Sequence, residues 1–321
     1  MSLGIKNQVS VATESEYGTA TAPALSIPIT PSDGIVTEQD AVGVAAINTK
    51  PAEHKAFVKG VRNYNGAFSL AAFPNAIGYF MYSALGSVAT SAVYGETEVY
   101  EHVFSEDADK PSLTVEQVIG SQEERYAGYI ASEFNVEFSV GQPINITTSG
   151  MAKSVADEEK AATNFESLDP LKWTGVVTIS IGGEDIKCEV ESGNIEYTNG
   201  LNTFHGFCGD NAEPSAHYVE NSNASGSFTM FLNDAEVYAL RDKMRNQTEL
   251  PILFSATGEA VGEASNTALQ VNIPRAVLST YTTSLGNSYN QVTVDFVGAE
   301  DATDGLIEVT LVNTYDSYEA A

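Results

Sequence analysis

One short pattern is written twice, half a chain length apart: Gly66-Ala-Phe-Ser-Leu70 and Gly226-Ser-Phe-Thr-Met230, each running into an apolar segment of helical period. Alternation of period two gives a strand of about five residues, followed by a break and a helix of roughly ten. The first helix opens at Pro74 and puts Ile77, Phe80, Met81, Ala84 and Leu85 on one face. The second opens at Asn233-Asp-Ala-Glu236 and carries Val237, Leu240 and Met244. Both openings suit a helix start, where the first N–H groups lack carbonyl partners: proline has no N–H to lose, and an Asn or Asp oxygen accepts one. Downstream, Leu113-Thr-Val-Glu116 and Leu269-Gln-Val-Asn272 read as alternating strands. A long hairpin follows each, 130–138 with a turn at Gly141 and 144–147 in the first half, and 276–281 with a turn at Gly286-Asn287 and 291–296 in the second. One helix at the same place in two β series predicts a tandem duplication, with domains at 1–167 and 168–321.

The rest of the chain reads as strands. Segments 24–30, 99–104, 174–181, 186–190, 250–254 and 306–312 are rich in β-branched residues and bounded by Gly, Asn, Asp or Pro. The expected fold is mainly β, two tandem sandwiches or barrels, each with one flanking α-helix. A polar stretch, 152–169, joins the halves as a linker or short helix. Gly182-Gly183 and Asn199-Gly200 are turns. Cys188 and Cys208 sit in β-rich sequence and could be cross-strand neighbours able to pair, with a pair of inert buried thiols the preferred state for a chain made in the cytosol. No CxxC and no Cys/His cluster of zinc spacing occurs, so no metal site is expected.

The net charge is −28, from 43 acidic and 15 basic residues. Phosphate binding needs Lys and Arg in excess, so attraction to nucleic acid or anionic lipid is not expected. The charge fits either a highly soluble surface or one past which a polyanion must move without sticking. The N-terminal residues lack a charged region followed by an apolar one, and no stretch approaches 18 apolar residues, so neither export by the usual signal nor a membrane helix is expected.

Residues 34–63 and 201–223 show little periodicity and fall at corresponding places, each before the repeated strand. Loops this long in compact domains are usually functional or bind partners. Lys50, His54, Lys55, Lys59 and Arg62 give the first loop an unusual share of the few positive charges, which suits it to meet the acidic face of another subunit; a plain solvated loop is the alternative.

Catalytic readings find little support. His54, His102, His205 and His217 are scattered without metal or catalytic spacing, and there is no GxSxG elbow and no GxxxxGK[ST] loop. Acidic residues are so abundant that a glycosidase-like pair carries no information. Trp173 and the fifteen tyrosines suit packing within or between subunits better than a sugar groove. No catalytic, cofactor or metal residues are assigned.

The opening Val11-Ala-Thr-Glu-Ser-Glu-Tyr-Gly-Thr19, with its acidic, aromatic, Gly-Thr sequence, resembles the start common among major tail tube proteins of long-tailed bacteriophages. His102-Val-Phe104, Lys110-Pro-Ser-Leu-Thr-Val-Glu116, Tyr126-Ala-Gly-Tyr-Ile-Ala-Ser132 and the hairpin ending at Gly150 are similar to that family's middle section. The resemblance covers 8–151 well and 170–312 only as a pattern. It implies β-sandwiches that pack side by side into rings, so that their inner sheets form a barrel around a channel, with a loop and a terminal arm reaching the next ring. Some members carry two domains in tandem and close three-fold rings of six equivalent domains, and the duplication places this chain with them. Implied partners are the chain itself, the tape measure protein, the tail terminator and tip proteins, and DNA in transit. The implied location is the virion tail, after assembly in the host cytoplasm.

On the first hairpin Glu133 and Glu137 alternate with Phe134, Val136 and Phe138, and on the second Asp295 lies between Val294 and Phe296. Successive strand side chains point to opposite faces, so these three acids are the candidates for the channel lining, against ordinary outward solvation. The alternatives in function are a surface or secreted sandwich that binds glycans, another ring protein of the tail such as a terminator or hub, and, more distantly, an acidic hydrolase.

Overall fold

The computed structural model describes residues 7–23, 25–30, 34–45, 53–161, 164–174, 176–207, 212–231, 235–285 and 290–320. The first half runs β1 (Gln8–Thr13), β2 (Leu25–Ile27), β3 (Gly34–Val44), β4 (Ala56–Ala71), α1 (Pro74–Leu85), β5 (Gly86–Ala92), β6 (Tyr100–Glu106), β7 (Leu113–Ile119), β8 (Gln122–Ser139), β9 (Asn145–Ala152) and β10 (Ser154–Asp157). The second runs β11 (Val176–Ile181), β12 (Glu184–Asp185), β13 (Val190–Thr198), β14 (Asn202–Phe204), β15 (Ala216–Tyr218), β16 (Asn223–Phe231), α2 (Ala235–Arg245), β17 (Leu250–Ala260), β18 (Asn266–Leu285), β19 (Asn290–Gly298) and β20 (Glu308–Asn313). The protein is mainly β, with antiparallel sheets packed as sandwiches.

Two layers recur in the same order. The inner sheet of the first half is β3-β4-β9-β8, and that of the second is β13-β16-β19-β18. The outer sheets are β1-β7-β8-β10 and β11-β17-β18-β20. β8 and β18 each serve both layers, with their N-terminal part in the outer sheet and their C-terminal part in the inner one. Each carries a bulge on its inner part, between Ala131 and Glu133 and between Leu278 and Thr280. An extra residue there raises the local twist and re-aims the strand.

The repeated Gly-x-Phe has a packing cause. Gly66 lies opposite Ile35 and Gly226 opposite Ile195. A Cβ on Gly66 would press into Ile35, and one on Gly226 would collide with the Asn194 carbonyl and the Phe296 ring. The phenylalanines two residues on, Phe68 and Phe228, point into the core and are fully buried. Inward positions along these strands alternate with polar ones (Phe134, Val136 and Phe138; Ile195 and Tyr197; Val292, Val294 and Phe296), and this alternation sets the register, since a slip of one residue would turn every apolar side chain to water.

Glu14 explains the opening motif. Its buried carboxylate accepts hydrogen bonds from the N–H of Gly18 (2.8 Å) and Gly128 (2.8 Å), from Ser112 Oγ (2.6 Å) and from Thr114 Oγ1 (2.8 Å). Four donors compensate its removal from water, and Gly18 takes a positive φ of 76° to bring its N–H round.

Several expectations need correction. Within 34–63, residues 34–44 and 56–63 pair as the β3–β4 hairpin instead of forming an aperiodic loop, 46–52 lying outside the described residues, and 201–223 contain the small β14–β15 hairpin. Residues 269–272 and 276–281 belong to one twenty-residue strand, β18, and the outer-sheet counterpart of β7 is β17. The join at 152–169 contains strand β10, and among the described residues it holds no helix. Residues 187–189 form a turn between β12 and β13, which leaves Cys188 free and exposed instead of buried; Cys208 lies outside the described residues.

Candidate functional site

The two inner sheets are one. The inner part of β8 pairs with β13 through a register from Glu133↔Thr198 to Ser139↔Ser192, so eight strands run continuously as β3-β4-β9-β8-β13-β16-β19-β18. The seam is tightly built. Phe134 and Tyr197 rings lie 5.4 Å apart, Tyr197 Oη donates to Glu106 Oε1 at 2.9 Å, and Asn199 Nδ2 donates to the carbonyls of Ala84 (3.0 Å) and Ala131 (2.9 Å). The outer layer crosses the halves too, where β6 pairs with β20. Among the described residues β3 pairs only with β4, and the inner part of β18 only with β19, so the sheet ends in two open edges.

One face of this sheet is the core. The other is polar from edge to edge: Asn65 and Ser69 on β4; Asn145, Thr147 and Ser149 on β9; Glu133, Asn135, Glu137 and Ser139 on β8; Ser192, Asn194, Glu196 and Thr198 on β13; Asn223, Ser225, Ser227 and Thr229 on β16; Gln291, Thr293 and Asp295 on β19; Thr280, Thr282 and Ser284 on β18. Its apolar members are Ala67, Ala71, Met151, Phe231, Val277 and Val297, with Val36 on the edge strand β3. These β4, β8, β9, β13, β16, β18 and β19 positions include no Lys and no Arg.

The structure brings Glu133, Glu137 and Asp295 onto this one face. Their hydrogen bonds come from neutral groups: Ser149 Oγ to Glu133 at 3.3 Å, Asn135 Nδ2 to Glu137 at 3.0 Å, and Thr280 Oγ1 to Asp295. Ion pairs among the described residues lie elsewhere, so no cationic side chain faces these carboxylates. Glu196, opposite Asn135, belongs with them and was missed; the alternation Asn194-Ile195-Glu196-Tyr197 carries the same signal that marks Glu133.

The basic residues of the first loop divide. Lys55, Lys59 and His54 stand exposed on the outer part of the β3–β4 hairpin, with His54 Nε2 3.9 Å from Glu53. Arg62 is held at the hairpin base, where it meets Glu213 at 3.8 Å and donates to Gln39 Oε1 at 3.2 Å, and its N–H bonds the Ala212 carbonyl. Lys50 lies outside the described residues. The β14–β15 hairpin is folded onto this base: His205 Nε2 and Asn63 Oδ1 are 2.9 Å apart, Tyr64 Oη donates to Glu213, and Tyr17 Oη and His217 Nδ1 are 3.1 Å apart.

Among the described residues no group of three or more His, Cys, Asp or Glu is placed to hold a metal, and no helix is long and apolar enough to cross a membrane. In the comparisons with known proteins, a family described as "Phage tail tube protein" matches residues 4–308. No curated protein matches the sequence.

Proposed function

The chain belongs to the phage tail tube protein family and is a structural component of the virion tail, and from that premise we propose that three copies close into a ring whose inner sheets form one barrel around a channel for DNA. The observation that carries this reading is the repeated sheet with two open edges. Exposed edges invite pairing with another chain, and the β8–β13 seam is the pattern for it. Aligning the halves by their glycines and bulges makes Tyr281 the counterpart of Phe134 and Thr37 that of Tyr197. On the pattern of Phe134↔Tyr197, β18 of one copy pairs with β3 of the next with Tyr281 opposite Thr37 and Thr283 opposite Ile35. Each copy then contributes two tube-type domains, 1–167 and 168–321, and three copies supply six.

The polar face becomes the channel wall. Phosphates passing Glu133, Glu137, Glu196 and Asp295 meet like charge and no cation to hold them, which favours passage without adhesion. Rings stack with the β3–β4 hairpin reaching a neighbour. The tape measure protein fills the channel before ejection, terminator and tip proteins cap the ends, and assembly takes place in the host cytoplasm.

Native mass spectrometry of rings, or symmetry averaging of tubes, tests the stoichiometry: three chains per ring are expected, and six would overturn the reading. Replacing Glu133 and Glu137 together by lysine is expected to leave rings intact and to lower DNA ejection at least tenfold.

A further inference from the structure

The proposed ring leaves apolar surface at both ends of the inner sheet. At one end the β3–β4 hairpin runs past its neighbours. β4 pairs with β9 only from Tyr64 to Ala71, and the β14–β15 hairpin covers Arg62 and Asn63, so among the described residues 56–61 are paired with β3 alone, roughly 20 Å of two-stranded ribbon. This ribbon exposes Val42, Val44, Phe57 (67% exposed) and Val58, with Lys55 and Lys59 beside them. A lone ribbon of this kind is marginal in water and calls for cover.

At the opposite end, where β8 turns into β9, a cavity of about 380 Å³ opens between the layers, lined by Phe138, Val140, Ile144, Trp173, Ile179 and Phe254. Val140 is 57% and Trp173 44% exposed at its rim. Glu191 and Lys187 also line it and Glu189 adjoins, the Lys187 ammonium being engaged by Asp185 at 2.8 Å.

We propose that this cavity is the socket for the β3–β4 hairpin tip of a copy in the adjacent ring. The assignment rests on the stacked-ring reading. Strand direction places tip and socket at opposite ends of the sheet, so rings stacked head to tail bring one against the other. Apolar side chains leave water on both sides, and the lysines of the tip approach the glutamates of the rim. In sheet order the hairpin and the β8 seam stand three strands apart, about 15 Å, which fixes the sense in which successive rings are rotated.

The test uses the full-length protein with Cys188→Ser and Cys208→Ser, carrying Phe57→Cys and Val140→Cys together. Assembled tubes, oxidised and run without reductant, are expected to give a ladder of joined chains longer than one ring holds, and unassembled protein none. Phe57→Asp, at an exposed position, is expected to keep the thermal transition and the rings while shortening tubes at least tenfold. Tubes that form but give no cross-link, or Phe57→Asp tubes of full length, overturn the socket and leave the ring reading standing. A parent protein that forms no rings overturns the ring reading itself, and the socket with it.

Discussion

α1 and α2 leave equivalent strands at equivalent points, yet one is finished and the other is not. Their inward positions agree: Ile77 and Phe80 are buried in the first, Val237 and Leu240 in the second. Their outward positions do not. Eleven of the twelve α1 residues are buried, under β5, β6, β20 and the C-terminal segment. Tyr318 packs edge-on to Tyr79 at 5.2 Å and donates to the Asn75 carbonyl at 3.0 Å, and Asn313 Nδ2 donates to the Pro74 carbonyl at 2.9 Å. α2 packs mainly on β18 and presents Tyr238 and Arg241 outward. The counterpart of Tyr238 in α1 is Gly78, where any Cβ would collide with the Tyr318 ring. The same helix-on-sheet unit is therefore closed in the first half by strands and a segment of the second, and left open in the second half, the side on which the proposed ring sets another copy.

Removing the cover breaks this contrast most directly. Truncation after Asn313 deletes the fully buried Tyr318 and the packed Tyr315, and is expected to cost about 4–5 kcal/mol, read as a fall in the denaturant midpoint. Gly78→Ala is expected to cost about 3 kcal/mol by overpacking, while Tyr238→Ala changes the unassembled chain by less than about 0.5 kcal/mol. Equal costs for the two substitutions would remove the contrast.

A pH-dependent effect concerns the β14–β15 hairpin that ties the halves together. Burial, then the nearby charges of His205 and Lys153, push His217 down to about 4. The unfolded chain therefore takes up the proton first as pH falls, and stability present above about pH 6.5 is lost progressively towards pH 4, by about 3 kcal/mol. Burial shifts His102 in the same direction. Thermal unfolding between pH 7.5 and 4.5 is expected to be less steep for His217→Gln than for the parent.

What the sequence disclosed follows what each segment buries. Strands with one face in the core alternate visibly, so the Gly-x-Phe strands, both hairpins and the polar placement of Glu133, Glu137 and Asp295 could be read directly. The outer part of β3–β4 has both faces in water, which removes the alternation and makes a hairpin look like a loop. β18 looked broken because Asn272, Pro274 and Arg275 interrupt its apolar pattern. Pro274 stands where the strand leaves β20 and has not yet met β19, a place that needs no N–H on that side. The continuity of the eight-stranded sheet could not be read at all, because edge pairing uses backbone groups that every residue has.

β8 and β18 also have a mechanical consequence. Each is one unbroken length of backbone belonging to both layers, pinned on its inner part by a bulge at the same point. The layers cannot shear past one another without breaking two ladders at once, so each subunit behaves as a stiff block. Any curvature of a filament built from such blocks has to be taken up at the joints between them.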